Sequence, residues 1–327
     1  MHPRRRSQQV NAIASTRTWA WRMWANQVLR LSRGAVLTAV LGAACVTPVI
    51  AAQLQLPPLI EPSSPEHHAG KVVLRELVTP DIAAAKQFYA GLFGWTFRDS
   101  QAGGIKYAQA SLGGQTVAGI IQRDIPAGER RQPAWLSFIS VPDVDAATQA
   151  ASQHGGKVLF EPHSFPDRGR EAVFADPRGA VFAVLASSSG DPPDVLAEPG
   201  EWIWSSLLTS DPDTDAAFYQ ALLDYEVFEL PAAKGAEHFM LASENYARAS
   251  VNSLPTNVLG MQPHWLNYVR VDDAAKMTAK ATALGGRVLV QPRFDRYGGR
   301  IAIVADPLGA PFGLLEWPST ENKKAPQ

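Results

Sequence analysis

The chain has one cysteine, Cys45, among 327 residues. A single thiol excludes an intrachain disulfide framework and any zinc or iron–sulfur site built from several cysteines. Acid is missing from the first sixty residues, which carry seven arginines (Arg4, Arg5, Arg6, Arg17, Arg22, Arg30 and Arg33) before Glu61. The uncharged run from Gly34 through Val46, continuing to Ala52, is too short for a transmembrane helix. There is no phosphate-binding glycine loop and no Gly-x-Ser-x-Gly elbow. No basic stripe is interleaved with aromatics, so nucleic-acid binding is not expected.

A basic flank, a short apolar run and then small residues is the layout of a secretory signal. Met23 as the start would leave Arg30 and Arg33 as the basic flank. Arg4–Arg6 suggest a twin-arginine signal, but Ser7, Gln8 and Gln9 fit that motif poorly. Two processing schemes stand side by side. Val49-Ile50-Ala51 suits ordinary signal peptidase and a soluble product. Leu41-Gly42-Ala43-Ala44-Cys45 resembles a bacterial lipobox, with Cys45 lipidated. Either way the expected location is outside the cytoplasm, periplasmic or as a membrane-anchored lipoprotein, and the folded part is free of cysteine. Removing residues 1–52 takes away seven arginines and no acid. That leaves 23 basic against 31 acidic residues, so the near-neutral precursor becomes an acidic product. Residues 53–70, with Pro57, Pro58, Pro62 and Pro65, read as an extended tether.

What is present is globular composition, 46% hydrophobic and 19% charged, long enough for two domains. The chain matches itself at an offset of 130 residues. Thr79, Asp81, Phe88 and Tyr89 meet Thr209, Asp211, Phe218 and Tyr219. Pro133 and Trp135 meet Pro263 and Trp265, and Gly155-Gly156 meets Gly285-Gly286. Asp176, Pro177 and Gly179 meet Asp306, Pro307 and Gly309. A constant offset over such a span means two homologous domains, 71–186 and 201–317, with a linker at 187–200 and a tail at 318–327.

Each domain divides again. Val72–Val78 reads as a strand, Pro80-Asp81 as a capping turn, and Ile82 to Phe93 as a helix ended by Gly94. Trp95–Phe97, Ile105–Ser111 and Thr116–Gln122 follow as strands. The second half repeats the order with strand Ala134–Val141, helix Val144–His154, and strands Lys157–Phe160, Glu171–Ala175 and Val181–Leu185. The expected fold is α+β: tandem domains, each of paired βαβββ modules.

The segments ELVTPDIAAAKQFYAGLFGWTF and VPDVDAA, then GG and DPRGAVFAVL, resemble the vicinal oxygen chelate superfamily of glyoxalases, extradiol dioxygenases, fosfomycin-resistance enzymes and bleomycin-binding proteins. The resemblance covers nearly all of the chain after the signal. It implies that each domain is a curved mixed sheet around a cavity. It also implies a divalent metal held by His, Gln or Glu on the inner face. Carried over by motif spacing, the ligand positions are Leu74, Leu136 and Ala183 in domain one, and Trp204, Leu266 and Gly313 in domain two. None of these side chains can coordinate a metal. Only Gln122 and Asn252 are plausible on the fourth strands, and one amide is no metal site. No metal and no other cofactor is therefore expected.

The remaining candidates line the expected cavities. Glu76 shares a strand face with Leu74, where a buried carboxylate could serve as a base; the alternative is an ion pair with a buried arginine. Ser206 takes its place in domain two. Tyr107, Tyr268, Trp135, Trp204 and Trp265 are either stacking walls or core. Arg170 and Arg300 recur in Gly-Arg pairs, as anion clamps or structural ion pairs. His67, His68, His154, His163 and His238 read as linker, helix-end or surface residues, and His264 lies near a pocket mouth. Ligand contacts are thus expected from Leu74, Tyr107, Gln122, Leu136, Trp204, Ser206, Asn252, Leu266 and Tyr268.

Two functions follow as expectations. One is metal-independent binding of a small apolar or aromatic molecule, as in bleomycin-binding members. The other is a lyase, isomerase or dioxygenase with a degenerate site. An interaction protein with filled cavities is a third. The expected partner is a small molecule; the membrane enters only through the signal or a lipid anchor, and the chain is a monomer or a homodimer.

Overall fold

The structure is a computed structural model that describes residues 54–317, apart from 103–104, 125–132, 232–237, 256–259 and 295–298. The expected order of elements is present twice. Domain one runs β1 (Val72–Thr79), α1 (Ile82–Phe93), β2 (Thr96–Ala102), β3 (Ile105–Leu112), β4 (Gln115–Gln122), β5 (Ala134–Ser140), α2 (Val144–Gln153), β6 (Lys157–Phe165), β7 (Gly169–Ala175) and β8 (Val181–Ser187). Domain two runs β9 (Trp202–Thr209), α3 (Pro212–Leu223), β10 (Glu226–Glu229), β11 (His238–Ser243), β12 (Tyr246–Ser253), β13 (His264–Val271), α4 (Ala274–Ala283), β14 (Arg287–Phe294), β15 (Arg300–Ala305) and β16 (Pro311–Glu316).

Each helix starts on an aspartate. The Asp81 carboxylate accepts from the Ala83 and Ala84 amides at 2.9 and 3.0 Å, and Asp143, Asp211 and Asp273 cap the other three. This satisfies amide donors that have no partner within the helix. Gly94 ends α1 at φ 78°, and Asp224 holds the matching left-handed place at φ 54°.

The strands form two open eight-stranded mixed sheets of the same topology, β2-β3-β4-β1-β5-β8-β7-β6 and β10-β11-β12-β9-β13-β16-β15-β14. The pairs β1–β4, β5–β8, β9–β12 and β13–β16 are parallel and the rest antiparallel. The architecture is α+β in tandem domains. One face of each sheet turns toward the other domain, with the helices between. Helices α1 and α4 share one core, which includes Phe88, Tyr89, Leu92, Val271, Ala281 and Phe312. A matching core joins α2 and α3 through Ala151, Phe182, Phe218 and Tyr219. The paired glycines belong to this packing. Gly155 takes φ 87°, and a Cβ on Gly156 would lie 3.0 Å from the Phe218 ring of the other domain. The opposite face of each sheet, its cup, lies away from the interface cores.

Two features depart from the sequence expectation. First, the 130-residue offset slips on β11 and β12. Glu76 pairs with Gly119, whereas Ser206 pairs with Ser250, an offset of 131 along that strand. The hairpin turn Gly113-Gly114 is met by Glu244-Asn245, both at positive φ. Because strand side chains alternate, one residue of slip exchanges the faces.

Second, residues 54–70 are not a free tether. Leu54, Leu56 and Leu59 are buried in the first cup among Leu74, Ile121, Leu136 and Phe138. Polar anchors hold the rest. The Leu59 amide donates to Ser189 Oγ at 3.0 Å, the His68 amide to Asp191 at 2.8 Å, and Ser243 Oγ to the Ala69 carbonyl at 2.6 Å. Three leucines in seven residues give this segment an apolar face that the prolines alone do not suggest. The stretch 1–52, with Cys45 and both processing sites, lies outside the described residues.

Candidate functional sites in two unequal cups

The cup positions follow from strand register. In domain one, Leu74, Phe138 and Ala183 are neighbours across β1, β5 and β8. In domain two, the same row is Trp204, Tyr268 and Gly313. Leu136 and Leu266 sit one pair further along, opposite Glu76 and Ser206. Leu74, Leu136 and Ala183 are fully packed core. In domain two, a Cβ on Gly313 would lie 2.0 Å from Tyr268 Cδ1, so an aromatic ring covers that position. These side chains do not fit the metal that the fold family implies, in either domain. Among the described residues, one group has metal-ligand spacing elsewhere, His68, Asp194 and Glu244. Its two carboxylates already pair with Arg248, at 2.7 and 2.8 Å, and Lys71 lies 2.9 Å from Asp194.

The first cup is closed. At its bottom Glu76, 3% exposed, lies beside Arg168, which is 0% exposed. The Arg168 guanidinium spans three groups. Its Nη2 donates to the Tyr107 hydroxyl at 2.9 Å, its Nε donates to the Pro57 carbonyl at 2.8 Å, and its Nη1 lies 3.5 Å from Glu76 Oε1. Tyr107 in turn hydrogen-bonds Glu76. Burial raises the Glu76 carboxyl above the ordinary range, and the Arg168 charge opposes that rise. Burial and the nearby Glu76 charge push Glu171 up to about 8. Glycine at 119 makes room here, since a Cβ would lie 2.4 Å from the Tyr107 hydroxyl. Gln122 lies in register with Thr79, one step from cup-facing Ile121, and therefore points to the helix side.

Among the described residues, the second cup is less covered than the first. Trp204, Leu208, Met240, Asn252, His264 and Tyr268 face it and are all half-buried rather than covered. Its floor is a polar ladder. Trp204 Nε1 donates to Ser250 Oγ at 3.1 Å, Ser206 and Ser250 hydroxyls lie 2.9 Å apart, and Asn252 Nδ2 donates to Ser250 at 3.1 Å. His238 Nδ1 meets Asn252 Oδ1, and Tyr268 hydrogen-bonds Ser206. Burial pushes the Tyr268 hydroxyl up to about 12, so it is neutral at physiological pH. His264 directs Nδ1 to the Gln262 carbonyl at 2.7 Å, and burial lowers its pKa.

The structure thus gathers Leu74, Glu76, Tyr107 and Leu136 in one cup, and Trp204, Ser206, Asn252, Leu266 and Tyr268 in the other. Trp135 and Trp265 belong to the domain interface, where each indole donates to a tyrosine hydroxyl. Arg170 forms a surface ion pair with Asp145 at 2.7 Å, and Arg300 lies 3.9 Å from Glu316. His154 caps α2, and the His163 ring packs on Phe165. Sequence reasoning missed Arg168, Glu171, His238, Met240 and Ser250. Arg168 sits in a Pro-Asp-Arg-Gly turn that reads as surface, while His238 and Ser250 emerge only once the offset of 131 is applied.

Residues 67–184 match the Glyoxalase/Bleomycin resistance protein/Dioxygenase superfamily, and residues 205–315 match the Glyoxalase-like domain. A Mycobacterium tuberculosis protein named "Putative glyoxylase CFP32" is 34% identical over 257 residues, covering 78% of this chain and 98% of that protein. Anthracycline biosynthesis protein DauV of Streptomyces sp. is 34% identical over 255 residues, covering 74% of this chain and 91% of that protein. Among solved structures, the Mn(II)-bound glyoxalase from Novosphingobium aromaticivorans superposes with a TM-score of 0.55 at 17% identity, over 76% of this chain and 82% of its own. The 2,3-dioxygenase LapB from Pseudomonas sp. KL28 gives 0.53 at 11% identity, over 79% and 97%. With tandem matches and a relative at this identity along almost its whole length, the chain belongs to the Glyoxalase/Bleomycin resistance protein/Dioxygenase superfamily.

Proposed function

We propose that the second cup binds a small aromatic molecule without a metal. The observation that carries this reading is the contrast between the cups. The same fold is filled with the chain's own leucines in domain one, and in domain two it presents half-buried Trp204, Met240 and Tyr268 above a hydroxyl and amide floor. Apolar walls with a few convergent polar groups are what a small-molecule site requires. Aromatic faces favour a flat ligand, and Asn252, Ser206 and Ser250 would read a hydroxyl or carbonyl on its edge. A relative named for anthracycline biosynthesis is in keeping with this reading.

The test is calorimetric titration of the purified chain with naphthol, together with metal analysis. One naphthol per chain is expected, lost in Trp204→Ala and retained after treatment with chelator. A stoichiometric, chelator-resistant metal would overturn the reading. A second reading rests on the relative named as a glyoxylase: a lyase, isomerase or dioxygenase of the same superfamily with a degenerate site, using Glu76 as its base. Turnover lost in Glu76→Gln, in a variant that stays folded, would favour it.

Export is part of the proposal and rests on the acid-free, arginine-rich start and the apolar run after Arg33. Mass spectrometry of the mature N-terminus separates cleavage after Ala51 from lipidation at Cys45. Unprocessed protein in the cytoplasm would sink both.

A further inference from the structure

The first cup holds a segment of its own chain in the way a ligand would be held. Leu54, Leu56 and Leu59 are 6%, 4% and 1% exposed and pack on Leu74, Leu136, Phe138 and Ile121. Between them, the Pro57 carbonyl accepts from Arg168 Nε at 2.8 Å. The segment offers aliphatic side chains to the walls and one oxygen to a fully buried guanidinium.

Three observations show that this segment is an added occupant rather than part of the sheet. It lies in no strand or helix. Its polar anchors are Pro57 to Arg168, Pro58 to Gln109 at 3.3 Å, and the Leu59 and Ile60 amides to Ser189 Oγ. Pro57 and Pro58 supply no amide donors at all. The second domain builds the same sheet, and among the described residues its cup-facing Val290, Ile301 and Ile303 stay half-buried.

The polar groups under the segment are also incompletely used. Glu76 Oε1 and Arg168 Nη1 face each other only as an ion pair at 3.5 Å, and Glu171 Oε2 is buried with no hydrogen-bond partner. Buried groups are normally satisfied, so the Glu171 carboxyl beside Arg168 is the group here with room for a polar partner.

We propose that residues 54–60 are a displaceable plug, and that the first cup beneath is a second binding site for an aliphatic carboxylic acid. The acid's chain would take the volume of Leu54, Leu56 and Leu59. Its carboxylate would take the place of the Pro57 carbonyl on Arg168, where an anion is a stronger acceptor than an amide oxygen. Occupancy is limited by the fraction of molecules with the plug withdrawn, so the apparent affinity falls by that fraction. The site does not depend on what the second cup binds.

Decanoate is the probe, and hydrogen exchange of the amides in residues 54–60 is the readout on the unaltered chain. Saturating decanoate is expected to speed their exchange, because it competes with the plug; an unchanged rate at saturation overturns the proposal. Leu56→Ser with Leu59→Ser weakens the plug and should lower the apparent Kd for decanoate by about tenfold or more. An unchanged Kd in this variant, once folding is verified, overturns it as well. In the same variant decanol should bind about tenfold more weakly than decanoate, and equal binding removes the role of Arg168. Trp204→Ala with Tyr268→Ala should keep the decanoate response. Its loss would place the acid in the second cup and overturn the first-cup site while leaving naphthol binding to be judged separately.

Discussion

The Tyr89 hydroxyl donates to the Asp306 carboxylate at 3.2 Å, from a helix of one domain to a turn of the other, while Trp135 Nε1 donates to the Tyr89 oxygen at 3.1 Å. The pseudo-symmetric relay joins Trp265, Tyr219 and Asp176 at 2.9 and 3.2 Å. The repeated Asp-Pro-x-Gly turn therefore closes its own loop, through amides from positions 178 and 180 or 308 and 310, and also receives the partner domain's helix.

Tyr89→Phe should destabilise the chain by about 1–3 kcal/mol. It strands the buried Trp135 indole N–H while keeping the ring's volume. Urea denaturation checks this as a lower midpoint. An unchanged midpoint at an unchanged slope would mean that the relay contributes nothing.

The relay also makes stability depend on pH. Burial, with the nearby Asp215 charge, pushes Asp176 up to about 7, and burial pushes Asp215 up to about 6. The folded state therefore holds these protons more tightly than the unfolded chain, whose carboxyls titrate near 4. Their contribution is fully present below about pH 4 and is lost as pH rises toward 7. Asp176→Asn imitates the protonated form and keeps an oxygen for the Arg178 and Ala180 amides. It should flatten the decline in stability between pH 4 and 7. A slope identical to the parent's would refute the assignment to Asp176.

Much of this was readable beforehand. Strand alternation and helix caps follow from local chemistry, and the repeat at 130 residues places Phe88 with Phe218 and Tyr89 with Tyr219. The cups were less readable, because a single residue of slip sends Gln122 to the helix side and leaves Asn252 facing the cup. The burial of Arg168 was hidden for a different reason. A hairpin turn of Pro, Asp, Arg and Gly has the composition of a surface loop, and Arg168 is enclosed by Pro57, Tyr107 and Glu76, all distant in sequence. Long-range occupancy of that kind leaves no periodic trace.

Arg168 and Arg170 stand two residues apart and should behave oppositely. Arg168→Met leaves the Glu76 carboxylate buried without its counter-charge, a change that typically costs about 3–5 kcal/mol. Adding Glu76→Leu should recover part of that loss, since an apolar pair of similar volume can replace a buried ion pair. Arg170→Ala removes an exposed pair with Asp145 and should have a small effect that vanishes at high salt. Thermal unfolding of all three variants in low and high salt checks the contrast. Equal losses for the two arginines would contradict it.

Gly313→Ala tests the second cup through its most crowded point. The new Cβ would overlap Tyr268 Cδ1 and Cε1, at 2.0 and 2.5 Å from where they now lie, so the ring must turn away. Overpacking of this kind costs about 1–3 kcal/mol. Movement of the ring would also break the contact between the Tyr268 hydroxyl and Ser206, removing one end of the polar ladder on the cup floor. A lower melting temperature and weaker naphthol binding are therefore expected together. Gly309, where an added Cβ meets nothing within 4 Å, provides the control. Its replacement by alanine is strained by φ 104° alone, so it should lower stability and leave naphthol affinity unchanged. Should Gly313→Ala lower stability with naphthol affinity intact, Tyr268 would be a packing residue and the ligand wall would have to lie on the Trp204 side of the cup.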